Sequence, residues 1–156
     1  MSYETDVIRC KRAAIERIVC DRDLIFLIDP DFAESGDALI YQNIYPYLYV
    51  PQVEEKAKAY VTMGVDIPSL YDKNVLVKRV QVTLYAICHQ DLMKTEFGAA
   101  RTDCMAARLT ALFNGSGGPW LGDLRLVSDT ERRLDTVHTY RILDFETADE
   151  NTEVVL

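Results

Sequence analysis

The chain has 156 residues, 49% of them apolar and 27% charged, with a formal net charge of −8. That size and composition fit one domain with a core of its own, and the acidic balance speaks against a general affinity for phosphate backbones or anionic membranes. No apolar run approaches the ~18–20 residues that span a bilayer, and the opening MSYETDVIRCKRAAIERIVC lacks a signal-peptide core, so a soluble protein made in a cytoplasm is expected.

In chain order, Thr5 and Asp6 offer an N-cap for a helix running to about Cys20, with Val7, Ile8, Ala14, Ile15, Ile18 and Val19 at helical spacing. Asp21 or Asp23 caps a short second segment, LIFLI, which Pro30 ends. Periodicity leaves it open whether this is a helix or a buried strand. DPDFAESGDA is loop-like, and NIYPYLYVP is β-prone but restricted by Pro46 and Pro51 to an edge strand or extended arm.

Residues 58–66 alternate as a half-buried strand, and IPSLYDKN turns the chain with its tip at residues 72–74. Residues 75–90, VLVKRVQVTLYAICHQ, carry the longest strand signal, expected to pair with residues 58–66 across that turn. A helix starts near Ala100 or Thr102, buries Met105, Leu109, Leu112 and Phe113, and stops at Asn114 and Gly115. NGSGGPW is a flexible loop carrying Trp120, the only tryptophan. LGDLRLVS and TVHTYRILDFET read as a hairpin around a polar turn at residues 128–133. The expected fold is α+β: an antiparallel-rich sheet with helices packed on one face, in a single domain over residues 1–149. Residues 150–156 form an acidic, flexible tail.

Cys88, His89 and Asp91 suggest a nucleophile or a metal site. On a strand, however, Val80, Val82, Leu84, Ala86 and Cys88 form one apolar face, while His89 belongs to the other with Arg79, Gln81, Thr83 and Tyr85. Neighbours aimed oppositely share neither a metal nor a proton. Zinc ligands usually come in closely spaced pairs, which are absent; Cys10 and Cys20 would stand ~15 Å apart on one helix. A remote set of Cys88, Cys104 and His138 is the remaining metal reading. The glycines of NGSGGPW lack the Lys and Ser or Thr of a phosphate-binding loop. DRD at 21–23 and DPD at 29–31 read as a cap and a turn. The expectation is therefore no catalytic residue, no cofactor and no metal. Contact surfaces are expected instead. Tyr41, Tyr45, Tyr47 and Tyr49 alternate along the extended segment, with Tyr45 and Tyr49 assigned to the core and Tyr47 to a partner surface. Tyr71, Asp72 and Lys73 of the long turn, Trp120 of the glycine loop and His89 at the strand exit complete the candidate interface residues.

NIYPYLYVP at 43–51, the block VQVTLYAICHQDLMKTEFGAARTDCMAARLTALFNGS at 80–116 and the ending at 121–149 together resemble the neck and tail-completion proteins of tailed bacteriophages. In that family a strand ending in a histidine and an acid leads to a helix opening with Arg-Thr-Asp, here Arg101, Thr102 and Asp103. The resemblance implies a tail-terminator-like fold and a structural, non-enzymatic virion protein at the head–tail junction, assembled in the host cytoplasm. Such a protein forms a homo-oligomer, typically a hexameric ring, that caps the tail tube protein and meets the head–tail connector. DNA passes through its lumen without specific binding. A head-closure ring one layer nearer the head is the near alternative; a small cysteine- or histidine-dependent enzyme or metal-binding protein is the more distant one.

Overall fold

A computed structural model describes residues 4–67, 70–71, 74–115, 123–147 and 154–155, with the backbone alone at 70–71, 74–78 and 154–155. Helix α1 (Asp6–Val19) begins where the Thr5 hydroxyl accepts the Ile8 amide at 3.2 Å, and it buries Cys10, Ala14 and Ile18 four residues apart. Helix α2 (Arg22–Ile28) settles the alternative left open for LIFLI. The Asp21 carboxylate caps it through the Leu24 amide at 3.0 Å, and Leu24, Ile25, Leu27 and Ile28 are buried. The stretch read as a loop after it contains 3-10 turns at Pro30–Phe32 and Gly36–Leu39. Gly36 lies so close beneath the Val19 carbonyl that a β-carbon would clash with it, and would sit 2.8 Å from Ile25 Cγ1.

The main sheet has the order β1-β2-β5-β7-β6. Its strands are β1 (Ile44–Tyr45), β2 (Ala59–Asp66), β5 (Gln81–His89), β6 (Leu124–Arg133) and β7 (His138–Thr147). β1 runs parallel to β2, and the other neighbours are antiparallel. A smaller sheet joins β3 (Leu70–Tyr71), β4 (Asn74–Lys78) and β8 (Val154–Val155), the last lying within the stretch read as an acidic tail.

Two expectations are corrected. The strand signal at 75–90 is not one strand: it divides into β4 and β5 at Arg79 and Val80. Its apolar positions change parity there, from Val75 and Val77 to Val80 and Val82, so a continuous strand would put the two halves on opposite faces. β5 does pair with β2, from Ala59↔Cys88 to Asp66↔Gln81, but Tyr71 and Asn74, on either side of the expected tip, pair with each other in the separate β3–β4 ribbon. Nor are residues 128–133 a turn. They extend β6, whose polarity reflects an exposed sheet edge, and the chain reverses at Asp135, whose Oδ1 accepts the Val137 and His138 amides at 2.9 and 2.8 Å.

All the helices named here pack on one face of the main sheet. Val61, Met63, Val82, Leu84, Ala86, Cys88, Leu143 and Phe145 meet Ala14, Ile18, Leu24, Ile25 and the buried side of α3 (Arg101–Phe113) in one core. On α3, Met105, Leu109 and Phe113 are buried as expected, and Leu112 is partly covered. The helix stops where Gly115 turns to φ 97° and its amide reaches the Leu124 carbonyl at 2.7 Å. Polar pins hold the layers together. Arg141 on β7 bonds Asp129 and Asp103, each at 2.8 Å, and Arg108 on α3 grips Asp21 with two bonds of 2.7 Å.

The paired guanidinium of Arg108 holds the Asp21 carboxyl below the ordinary carboxylate range, despite partial burial. A depressed folded pKa gives stability that is present above the unfolded value near ~4 and lost as pH falls through the folded value. Asp21→Asn keeps a capping oxygen but loses the ion pair. Because the guanidinium is partly exposed, the expected loss at pH 7 is only about 1 kcal/mol. Urea unfolding should show this difference shrinking below pH ~3; a difference independent of pH would remove the ion pair as its cause.

Candidate functional site

The face of the sheet away from the helices carries an aromatic arm. At its root the buried Asn43 donates from its side chain to the Ala59 carbonyl at 2.9 Å, and its own carbonyl accepts the Val61 amide at 2.9 Å. Tyr41 enters this tight turn at φ 64°, a left-handed conformation unusual for a tyrosine, with its amide bonded to the Ile44 carbonyl at 2.8 Å. β1 then divides its side chains: Ile44 enters the helix-side core and Tyr45 the opposite face. Pro46 and Pro51 lack the amide needed to continue a ladder, so the segment leaves the sheet as an arm after two strand residues, as the edge-strand expectation allowed.

The arm packs on its own tyrosines. Tyr45 and Tyr49 stack with ring centroids 4.0 Å apart, and Tyr49 lies 5.6 Å from Tyr60 of β2. The Glu55 carboxylate, further along the arm, accepts the Tyr49 hydroxyl at 2.6 Å and the Tyr60 hydroxyl at 3.2 Å. Both phenols are held well above their ordinary pKa, Tyr49 chiefly by the bond to Glu55 and Tyr60 chiefly by burial. Beneath Leu48, Tyr49 and Val50 an apolar slot of about 70 Å³ opens against Tyr85, Ile87, Leu134 and Tyr140. The outward side of the arm is uncovered: Tyr41 is 58% exposed, Tyr47 47%, Leu48 51%, Val50 47% and Val53 46%.

The cysteine–histidine pair sorts as its alternation predicts, with one difference. Cys88 is fully buried in the helix-side core, where burial pushes its thiol up to about 12, and its Sγ–H donates to the His89 carbonyl at 3.3 Å. His89 faces the other way but is not wet: only 8% is exposed, and its ring meets that of its cross-strand partner His138 edge-on at 5.3 Å. The Asp91 amide donates to His89 Nδ1 at 3.0 Å, and His138 Nδ1 lies 3.0 Å from both Asp135 oxygens. Burial works against the Asp135 carboxylate, but the Val137 amide and the His138 ring and amide outweigh it and keep its pKa low. Cys88 and His138 lie on opposite faces, so the remote metal set with Cys104 is not brought together. Among the described residues no group of three or more His, Cys, Asp or Glu is placed to hold a metal ion.

Of the other candidate interface residues, Tyr47 stands exposed on the arm, while Tyr71 lies in β3, where only the backbone is described. Asp72, Lys73 and Trp120 lie outside the described residues. Sequence reasoning missed Glu55, which reads as one more loop charge in VEEKAKAY, and Asn43, whose buried amide roots the arm.

The family model described as YomW matches residues 15–147, from within α1 through β7 and so including the arm and the whole main sheet. The chain matches no curated protein. Among the described residues no helix is long and apolar enough to cross a membrane.

Replacing Glu55 with Ala leaves two phenol hydroxyls without their acceptor, a loss of about 1–3 kcal/mol concentrated in the arm. Hydrogen exchange should speed up at residues 46–56 while β5 stays protected; unchanged exchange in the arm would deny Glu55 this role. A buried thiol with so high a pKa should also resist iodoacetamide at pH 8 in the folded protein, reacting ~100-fold or more slowly than the exposed Cys20. Fast labelling of folded Cys88 would revive the nucleophile reading.

Proposed function

The chain belongs to the YomW family and is a phage-associated protein, and from that premise we propose that it is a structural protein of the virion head–tail junction. In this reading it is a tail terminator, a non-enzymatic ring that caps the tail tube and joins it to the head connector. The observation that carries the proposal is the arm: Tyr41, Tyr47, Leu48, Val50 and Val53 stand exposed on one segment. A monomer rarely leaves so many large apolar side chains uncovered together, and tyrosines are favoured anchors in protein–protein contacts.

Further support comes from the sorting of Cys88 and His89, which leaves no catalytic pair at the site that looked most chemical. The α+β layout with helices on one face agrees with the terminator-like arrangement that the resemblance implies. A net charge of −8 suits a ring through which DNA slides without sticking. Ring closure also asks for two different patches on each subunit, and the arm supplies one of them.

The test is assembly with the tail tube protein of the same phage. Tubes polymerised with the protein should end at a defined length, each tip carrying a ring visible by electron microscopy, and tubes without it should overgrow. Tyr47→Asp together with Leu48→Asp should leave a folded subunit that caps at least ~10-fold less efficiently, each lost anchor being worth 1–2 kcal/mol or more. Tube lengths indifferent to the protein would sink the terminator reading. Binding to the head connector but not to the tube would move the ring one layer headward.

A further inference from the structure

A second apolar surface lies in the helix layer. Between α2 and α3 runs a groove of about 550 Å³, with Phe26, Leu27, Phe97 and Ala107 along it and Asp23 and Arg108 at its rim. Phe26 is 40% exposed because the other apolar residues of α2 turn inward, and Phe97 is 57% exposed. The groove is braced. Arg101 donates at 2.7 Å to the Leu92 carbonyl, in the chain before Phe97, and at 2.7 Å to the Leu27 carbonyl of α2. The Phe97 amide donates to the Thr95 hydroxyl at 3.2 Å, and Gly98 turns at φ 76°, so a closed local turn presents the Phe97 ring.

Apart from Val127, the exposed large apolar side chains among the described residues belong to this groove or to the arm. The two surfaces lie on opposite layers of the subunit, since the arm packs on the open face of the sheet through Tyr60 and Ile87 and the groove is formed by helices. A contact between unlike patches of identical subunits propagates head to tail and closes into a ring when the rotation between copies is a whole fraction of a turn, whereas arm against arm would stop at a dimer.

Charge favours the same pairing. Copies carrying −8 each repel one another, yet no charged residue occurs from Ala38 to Val53, so the arm approaches a second copy with little electrostatic cost. At the groove the Arg108 charge is already matched by Asp21, and Asp23 offers a carboxylate that can accept a tyrosine hydroxyl. The volume falls within the ~300–1,000 Å³ of a ligand pocket, enough for a pair of side chains such as Tyr47 and Leu48.

We propose that the arm of one copy, led by Tyr47 and Leu48, seats in the α2–α3 groove of the next copy. The proposal rests on the ring reading and names the contact that builds the ring. Its test uses Tyr47→Asp on the arm and Ala107→Asp in the groove, both at exposed positions, with near-ultraviolet circular dichroism as the check on folding. Native mass should show oligomers for the wild-type chain, alone or on tube ends, and monomers for each variant. An equimolar mixture of the two variants should give dimers, because it restores one intact arm facing one intact groove. As a second measurement, Tyr47→Cys and Ala107→Cys carried on separate copies should form a disulfide-linked dimer under mild oxidation.

Wild-type rings that persist in either variant, or a mixture yielding neither dimer nor cross-link, would overturn the pairing and leave the terminator reading standing. A Tyr47→Asp chain that still forms rings but no longer caps tubes would assign the arm to the tube protein, overturning the pairing in the same way. A wild-type chain that stays monomeric both alone and at tube ends would overturn the ring reading and the pairing with it.

Discussion

The structure depends on the alternation of β5. This strand sits in the middle of the main sheet with β2 on one side and β7 on the other, so every residue from Gln81 to His89 has a neighbour in register. A slip of one residue would turn Val82, Leu84, Ala86 and Cys88 out of the helix-side core and bring Thr83, Tyr85 and His89 into it. The four inward residues are fully buried, which makes that register the only one compatible with the helix layer. Everything on the two faces of the sheet follows from this sorting, including the separation of Cys88 from the histidines.

The two faces are closed by different means. On the helix side, close packing of aliphatic and aromatic side chains does most of the work, with Arg108–Asp21 and Arg141–Asp103 as pins between layers. On the other side no helix lies among the described residues. Tyr45, Tyr60 and Ile87 are covered by the arm, which is fastened by Asn43 at its root and by Glu55 at its far end. An arm held at both ends and stacked on its own tyrosines presents Tyr47 and Leu48 in a fixed position. That lowers the ordering cost a partner would otherwise have to offset on binding.

What the sequence made legible was local. The Thr5 cap, the helical spacing that includes Ala14 and Ile18, the alternation of β5 and the Asn114–Gly115 stop each depend on residues a few positions apart. The failures have non-local or competing causes. The parity change at Arg79 was visible in the letters, but a long run of β-formers outweighed it. Residues 128–133 look like a turn because an edge strand exposes polar side chains just as a turn does. His89 was expected on a wetter face, and its burial comes from His138, which a cross-strand pairing brings from far along the chain. The arm was legible as aromatic and proline-bounded, with Tyr47 on its outer side; its dependence on Glu55 and the groove at Phe26 and Phe97 were not, because each joins segments separated in sequence.

The charge distribution ties the fold to the proposed assembly. A chain with 25 acidic against 17 basic residues resists close contact with copies of itself over most of its surface. An uncharged, largely apolar arm on such a chain serves two ends at once. In the proposed ring it confines attraction to the contact of arm and groove, and it leaves the repulsion elsewhere to oppose every other mode of packing, which is how specificity is gained without a large interface. In the proposed ring the same repulsion keeps subunits apart until apolar contact is available to offset it. Concentrating subunits on a tube end raises the effective concentration of neighbours and supplies that opportunity. On that proposal, assembly on the tube follows from the balance of arm and charge.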